Sequence, residues 1–194
     1  MPYAILGFLD PAAEDKVLAL WQAVADAGLA DNPHTEGLRP HLTLAAYDEL
    51  DVDKAEQALG PVVAQLSPCC LTLSHLGLFT GERHVVFVAP TVTSDLLLMH
   101  SSIHELCNKW GSNPYPHYVP GQWVPHATIG LDLTLETALR VAEMTASLTL
   151  PMEVRLVEVG AIEFRPVRPC FTLRFGSCPA PKPPAAEAHH QPMA

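Results

Sequence analysis

Two five-residue stretches, Pro40-His41-Leu42-Thr43-Leu44 and Pro125-His126-Ala127-Thr128-Ile129, repeat the order proline, histidine, apolar, threonine, apolar at a distance of 85 residues. Side chains alternate faces along a strand. In each stretch, histidine and threonine therefore share one face, while Leu42 or Ala127 enters the opposite layer. The leading proline cannot donate to a ladder and biases its predecessor toward extended backbone, so it suits a strand start. One His-x-Thr among ten histidines carries little weight. Two copies with the same flanks demand a fold that supplies two similar strands, each presenting an imidazole beside a hydroxyl.

The same 85-residue shift takes Phe79 onto Phe164 and the strand starting at His84 onto the region of Pro169. It also roughly superimposes the helices that follow the two motifs. Each half reads as strand, helix, motif strand, helix and a strand pair. The expected architecture is α+β and bilobal. Two pseudo-two-fold duplicated lobes each carry an antiparallel sheet, with helices packed on the outside and a central cleft, where small-molecule sites prefer to lie. Residues 1–176 form one domain of two lobes. Residues 177–194 are proline- and alanine-rich without periodicity and are expected to be a disordered tail, with His189 and His190 incidental to function.

Taken in order, the apolar run Tyr3 to Leu9 predicts a buried strand, and Asp10-Pro11 a helix start with aspartate as cap. Val17, Trp21 and Val24 recur at helical spacing until Gly28. A polar loop over residues 30–39 leads to the first motif strand, 41–47. Asp51 caps a helix over 52–65. Strands follow at 69–79 and 84–88, joined near Gly81. A third helix opens at Thr93 or Ser94 and ends at Gly111, with Leu96, Met99, Ile103, Leu106 and Trp110 on its apolar stripe. Residues 112–122 are aromatic and proline-rich, too irregular for helix or strand. Thr134 caps a fourth helix to about residue 148, and strands at 152–164 and 170–175 close the domain.

Composition narrows the function classes. The chain has 194 residues, 48% hydrophobic and 16% charged, a globular profile with room for a real core. No apolar run is long enough to cross a bilayer, and Met1 to Leu9 lacks the basic start of a secretory signal. Five cysteines without a repeated spacing argue against a disulfide framework or a C-x-x-C zinc site. A cytoplasmic monomer is the default expectation. The net charge of −10 repels a long phosphate backbone. The expected partner is therefore a small nucleotide or an RNA end held locally, with no duplex DNA and no membrane.

Imidazoles titrate near neutrality and can take a proton in one step and return one in another. Two of them facing one phosphodiester can accept a proton from the attacking oxygen and donate one to the leaving oxygen. Threonine hydroxyls beside them can donate to the nonbridging oxygens without competing for protons. This chemistry needs no metal and no cofactor.

On these residues the chain resembles the 2H phosphoesterase superfamily, the 2'-5' RNA ligase and cyclic phosphodiesterase group. The resemblance spans residues 2–175 by organisation, and its sharp part is the two motifs, both matching as His-apolar-Thr-apolar. It implies a bilobal α+β fold and metal-independent cleavage of 2',3'-cyclic phosphates or 2',5'-linked phosphodiesters. It also implies that His41, Thr43, His126 and Thr128 are the catalytic set. The near symmetry of the halves leaves open which histidine is base and which is acid. A catalytically silent nucleotide-binding module with the same cleft is the alternative.

Weaker candidates surround the motifs. Trp123, Tyr118 and Tyr115, together with His117, precede the second motif and could stack on a base. Trp123 is the preferred choice among them. Arg39, two residues before His41, could attract phosphate. His100 and His104 stand at i, i+4 on the third helix, a metal-ligand spacing. They lack further ligands, so a solvated helix flank is the expected reading over a metallohydrolase. The equivalence of Phe79 and Phe164 suggests packing at the lobe interface.

Overall fold

The structure, a computed structural model, describes residues 2–176; the stretch read as a tail, 177–194, lies outside the described residues. The elements in chain order are β1 (Tyr3–Leu9), α1 (Pro11–Asp26), β2 (His41–Leu50), α2 (Val52–Val63), β3 (Cys69–Phe79), β4 (His84–Pro90), α3 (Ser94–Cys107), β5 (Gly111–Pro114), β6 (Ala127–Leu133), α4 (Leu135–Thr145), β7 (Met152–Phe164) and β8 (Val167–Arg174). Short 3-10 turns occupy Pro33–Glu36 and Pro116–Tyr118.

Each α-helix begins at a polar cap. Asp10, Asp51, Thr93 and Thr134 accept from the backbone N–H of Ala13, Lys54, Leu96 and Thr137, satisfying donors that the first turn leaves free. Gly28, with φ of 66°, turns the chain out of α1.

All eight strands join one antiparallel sheet, ordered β5-β2-β1-β7-β3-β4-β6 with β8 on β7. The two antiparallel sheets expected from the sequence are thus parts of a single sheet, and β7 is the strand they share. Its first residues, Met152 to Leu156, pair with β3, and its later residues, Leu156 to Glu163, pair with β1. Leu156 faces Leu9 on one side and Cys69 on the other. The connectivity also repeats. Strand β1 leads through α1 to the motif strand β2, and β4 leads through α3 to the motif strand β6.

Four strands separate β2 from β6, so a flat sheet would hold them roughly 24 Å apart at the usual interstrand spacing. They touch instead. The sheet therefore curls, and the residues that point away from the histidines show why. Leu42 and Leu44 of β2, Ala127 and Ile129 of β6, and Val17, Trp21, Leu96 and Ile103 of α1 and α3 all lie in one buried apolar cluster. Burying a side chain of this size favours the fold by about 1.5–3 kcal/mol, so closing the sheet around shared helices gathers the core into one body. On the other face a smaller cluster of Ala4, Leu6, Phe8 and Ile162 is covered by Leu38, Phe164 and Val167.

Two local expectations are corrected. The segment read as wholly irregular contains β5, which pairs with β2 through Tyr47 opposite Pro114 and Glu49 opposite Ser112. It forms the sheet edge, where a missing proline N–H costs no ladder bond. His100 and His104 are not a solvated flank; they are 1% and 8% exposed. His100 is covered by the ring of Trp123, and His104 lies beside Tyr47 with ring centroids 6.1 Å apart.

Candidate active site

His41 opens β2, and His126 immediately precedes β6. Both rings are half-buried. The Nδ1 of His41 lies 2.6 Å from the carbonyl of Arg39, and the Nδ1 of His126 lies 2.7 Å from the carbonyl of Val124. A carbonyl only accepts, so Nδ1 carries the proton in both rings, and Nε2 is the nitrogen left to exchange one. The same device, a carbonyl two residues upstream, sets the same tautomer twice.

Burial lowers the proton affinity of both imidazoles below the ordinary value, partly offset in each by the carbonyl at Nδ1. His41 is lowered further by charge on His126, so the two rings are near enough to feel each other across the curled sheet. Two imidazoles coupled in this way share one proton more readily than they hold two.

Each threonine is fixed from behind by an indole supplied by a distant part of the chain. Trp123 Nε1 donates to the Thr43 carbonyl at 2.9 Å, and Trp21 Nε1 on α1 donates to the Thr128 carbonyl at 3.0 Å. The segment before the second motif thereby holds the first motif, and the first helix holds the second. Tyr118 joins this arrangement with its phenol beside the Thr43 hydroxyl. Burial raises that phenol and the threonine partly offsets the rise.

A phenylalanine on the neighbouring strand stands beside each motif. Phe8 on β1 pairs with His41, and Phe87 on β4 pairs with Thr128, so in each half the ring shares the face of the motif. Each phenylalanine lies over a glycine on the next strand. A Cβ on Gly160 would sit 2.7 Å from the Phe8 ring, and one on Gly77 would run into the Phe87 ring. The halves differ in what covers the ring. Arg39 lies over Phe8 with its guanidinium carbon 4.4 Å from the ring centroid. Around Phe87 the Phe79 ring stands at 4.3 Å and His126 at 5.2 Å, and Phe79 meets His126 edge-on at 4.9 Å. Phe79 thus bears on the second imidazole, while Phe164 belongs to the small cluster around Phe8. Each therefore packs near the phenylalanine beside one motif.

The remaining sequence candidates divide. Trp123 and Tyr118 come to the first motif, but Trp123 is only 8% exposed and its ring is stacked on His100, so it supports the strand and offers no open face to a base. Arg39 is not free for phosphate. Its guanidinium donates to Glu14 at 2.9 and 3.0 Å and to Glu158 at 2.8 Å. Burial alone would raise the Glu158 carboxyl, but Arg39 and Arg174 outweigh it and hold the group below its usual range. This clamp anchors the residue whose carbonyl orients His41. Tyr115 packs edge-on against Phe164, and its N–H donates to the Ala46 carbonyl at 2.9 Å. His117 is exposed. Among the described residues no group of three His, Cys, Asp or Glu side chains could hold a metal ion, and no helix is long and apolar enough to cross a membrane. Cys69, Cys70, Cys107 and Cys170 are free thiols, and only Cys107 is buried.

Sequence reasoning missed Trp21, Phe8, Phe87, Gly77 and Gly160. Trp21 was legible only as a core residue of a helix. The Phe-over-Gly pairs do recur in both halves, but at offsets a few residues short of the motif shift, so a fixed-shift comparison passes over them.

The sequence profile of the 2'-5' RNA ligase superfamily matches residues 8–167 of the chain. No curated protein matches the sequence. Among solved structures, the fold is similar to that of E. coli LigT complexed with 3'-AMP, with a TM-score of 0.53 and 19% identity over 90% of this chain and 99% of that one. A protein described as a phosphoesterase gives a TM-score of 0.52 at 19% identity, covering 90% of this chain and 98% of its own. Kluyveromyces marxianus Usb1 gives 0.50 at 12%, covering 90% and 97%. At these identities the likeness is one of fold.

Proposed function

The chain belongs to the 2'-5' RNA ligase superfamily, and from that membership and the two coupled imidazoles we propose that it is a metal-independent phosphodiesterase. Its substrates are 2',3'-cyclic phosphates or 2',5'-linked phosphodiesters of nucleotides or RNA ends. The observation that carries the reading is the matched pair of histidines with the same tautomer, each beside a threonine braced by an indole.

For a 2',3'-cyclic phosphate the step balances as follows. His41 Nε2 takes a proton from water as its oxygen bonds to phosphorus. The bond from phosphorus to a ribose oxygen breaks, and that oxygen takes a proton from His126 Nε2, leaving a nucleoside monophosphate. We assign His41 as base and His126 as acid; an activated leaving group separates this order from its reverse. The Thr43 and Thr128 hydroxyls each offer a proton to a nonbridging oxygen, one from either motif. The shelf of Phe79 and Phe87 beside His126 offers the nucleobase an apolar seat on the leaving-group side. The resemblance of fold to LigT complexed with 3'-AMP is consistent with a nucleotide ligand.

Incubation of the full chain with 2',3'-cyclic nucleotides and a 2',5'-linked dinucleotide, followed by chromatography, tests the reading. Monophosphate released equally with and without a chelator is the expected result. Binding without any product would replace it with a silent nucleotide-binding module.

A further inference from the structure

The i, i+4 histidine pair on α3 is left unused by the chemistry above, yet His100 lies at the centre of the contacts that hold Thr43. Its ring stacks face to face on Trp123, with centroids 3.9 Å apart and planes 4° from parallel. Trp123 in turn donates its indole N–H to the Thr43 carbonyl at 2.9 Å. On its edge, His100 Nε2 donates to the Tyr118 carbonyl at 3.0 Å, and Tyr118 carries the phenol that meets the Thr43 hydroxyl. The carbonyl of Leu44, next in sequence to Thr43, also lies against the imidazole. One ring on a helix of the second half therefore contacts both Trp123 and Tyr118, the two residues that reach the first motif's threonine.

We propose that His100 is a positioning residue for the phosphodiesterase reaction, setting the Thr43 hydroxyl through Trp123 and Tyr118. The inference rests on the phosphodiesterase reading for its kinetic consequence, though not for its geometry. Burial lowers His100 to about 4, so the ring is neutral throughout the working pH range, and its single N–H is committed to Tyr118. Histidine suits the place because a flat ring can stack on the indole while an edge nitrogen donates to a carbonyl. Phenylalanine can do only the first, and asparagine only the second. A hydroxyl whose task is to receive charge as the reaction proceeds loses its effect when displaced by a fraction of an ångström, and the loss falls on turnover more than on binding.

The test compares His100→Ala, His100→Phe and His100→Asn with the wild-type chain, using a 2',3'-cyclic nucleotide as substrate. The expected result is a fall in kcat on the order of 10- to 100-fold for alanine, with KM changed less than about 3-fold. Phenylalanine and asparagine are expected to recover part of the loss. Ile103→Ala, a buried change on the same helix that leaves the His100 ring in place, controls for general loosening and is expected to keep the wild-type kcat at a temperature where it stays folded. In parallel, the NMR resonance of the Trp123 indole N–H and the Thr43 and Leu44 amides are expected to shift in His100→Ala. Turnover by the wild type with unchanged kcat in His100→Ala, or an equal fall in Ile103→Ala, overturns the positioning role and leaves the phosphodiesterase reading standing. No turnover by the wild type overturns that reading, and the indole resonance then decides positioning alone: an unshifted signal sinks it.

Discussion

Trp21 on the first helix donates its indole N–H to the backbone carbonyl of Thr128, 3.0 Å away and in the other half of the molecule. The bond joins α1 to the motif strand it does not precede in sequence, and Trp123 makes the reciprocal link to Thr43. The two motifs are therefore held relative to each other by the body of the protein, which is what a reaction needing both at once requires. Replacing Trp21 by phenylalanine keeps the ring and removes the donor. It should cost on the order of 1–3 kcal/mol, since the carbonyl is left without its partner, and lower kcat several-fold. Denaturant midpoints and steady-state kinetics check both.

The pH profile follows from the sign of the histidine shifts. The proposed reaction requires His41 neutral and His126 protonated, and both groups are held below the usual 6.5. The free-enzyme parameter kcat/KM should therefore be bell-shaped with its optimum below pH 6.5, the two limbs reporting the pair jointly. It falls on the acid side as His41 gains a proton and on the alkaline side as His126 loses one. A bound phosphate anion favours the protonated rings, so the kcat optimum should lie higher, by roughly one unit. A kcat/KM optimum on the alkaline side of neutrality contradicts this.

The two roles separate with an activated leaving group. A 4-nitrophenolate departs without a proton, so a nucleotide nitrophenyl ester should be turned over by His126→Ala far better than an ordinary diester is. His41→Ala should gain nothing from the change, because it lacks the base. Rescue of His41→Ala alone would exchange the assignments.

The phenylalanines beside His126 give a further split. Phe79→Ala should raise KM for a purine substrate about 30-fold, the midrange of a lost base stack, with little change in kcat. Gly77→Ala pushes a methyl into the Phe87 ring, which lies against His126, and should lower kcat instead. Unchanged kinetics in both variants would remove these rings from the site.

How much of this was legible beforehand depended on whether the signal was local. Strands β3 and β7 match the sequence reading at both ends, and three of the four helix caps were read in place with the other narrowed to Thr93 or Ser94, because alternation and capping are properties of a few neighbouring residues. The two motifs stood out for the same reason, with a repeat to sharpen them. Trp123, Arg39 and His100 were misjudged because their roles are set by partners far away in sequence. Trp123 answers to His100 and Thr43, and Arg39 to Glu14 and Glu158. An aromatic or a cation near a motif reads as a ligand contact until its partners are known. The sharing of β7 between the halves was likewise hidden, since a long strand does not announce that it pairs with β3 at one end and β1 at the other.

The measurement that bears most directly on the whole account is the turnover of a 2',3'-cyclic nucleotide by His41→Ala, His126→Ala and the double variant, each confirmed folded. If both imidazoles act on one phosphorus, each single change should lower kcat by about 10² to 10⁴-fold, and the double variant should be little worse than the singles, as for residues acting as a unit. Near wild-type turnover in either single variant, or losses that simply multiply in the double, would contradict it.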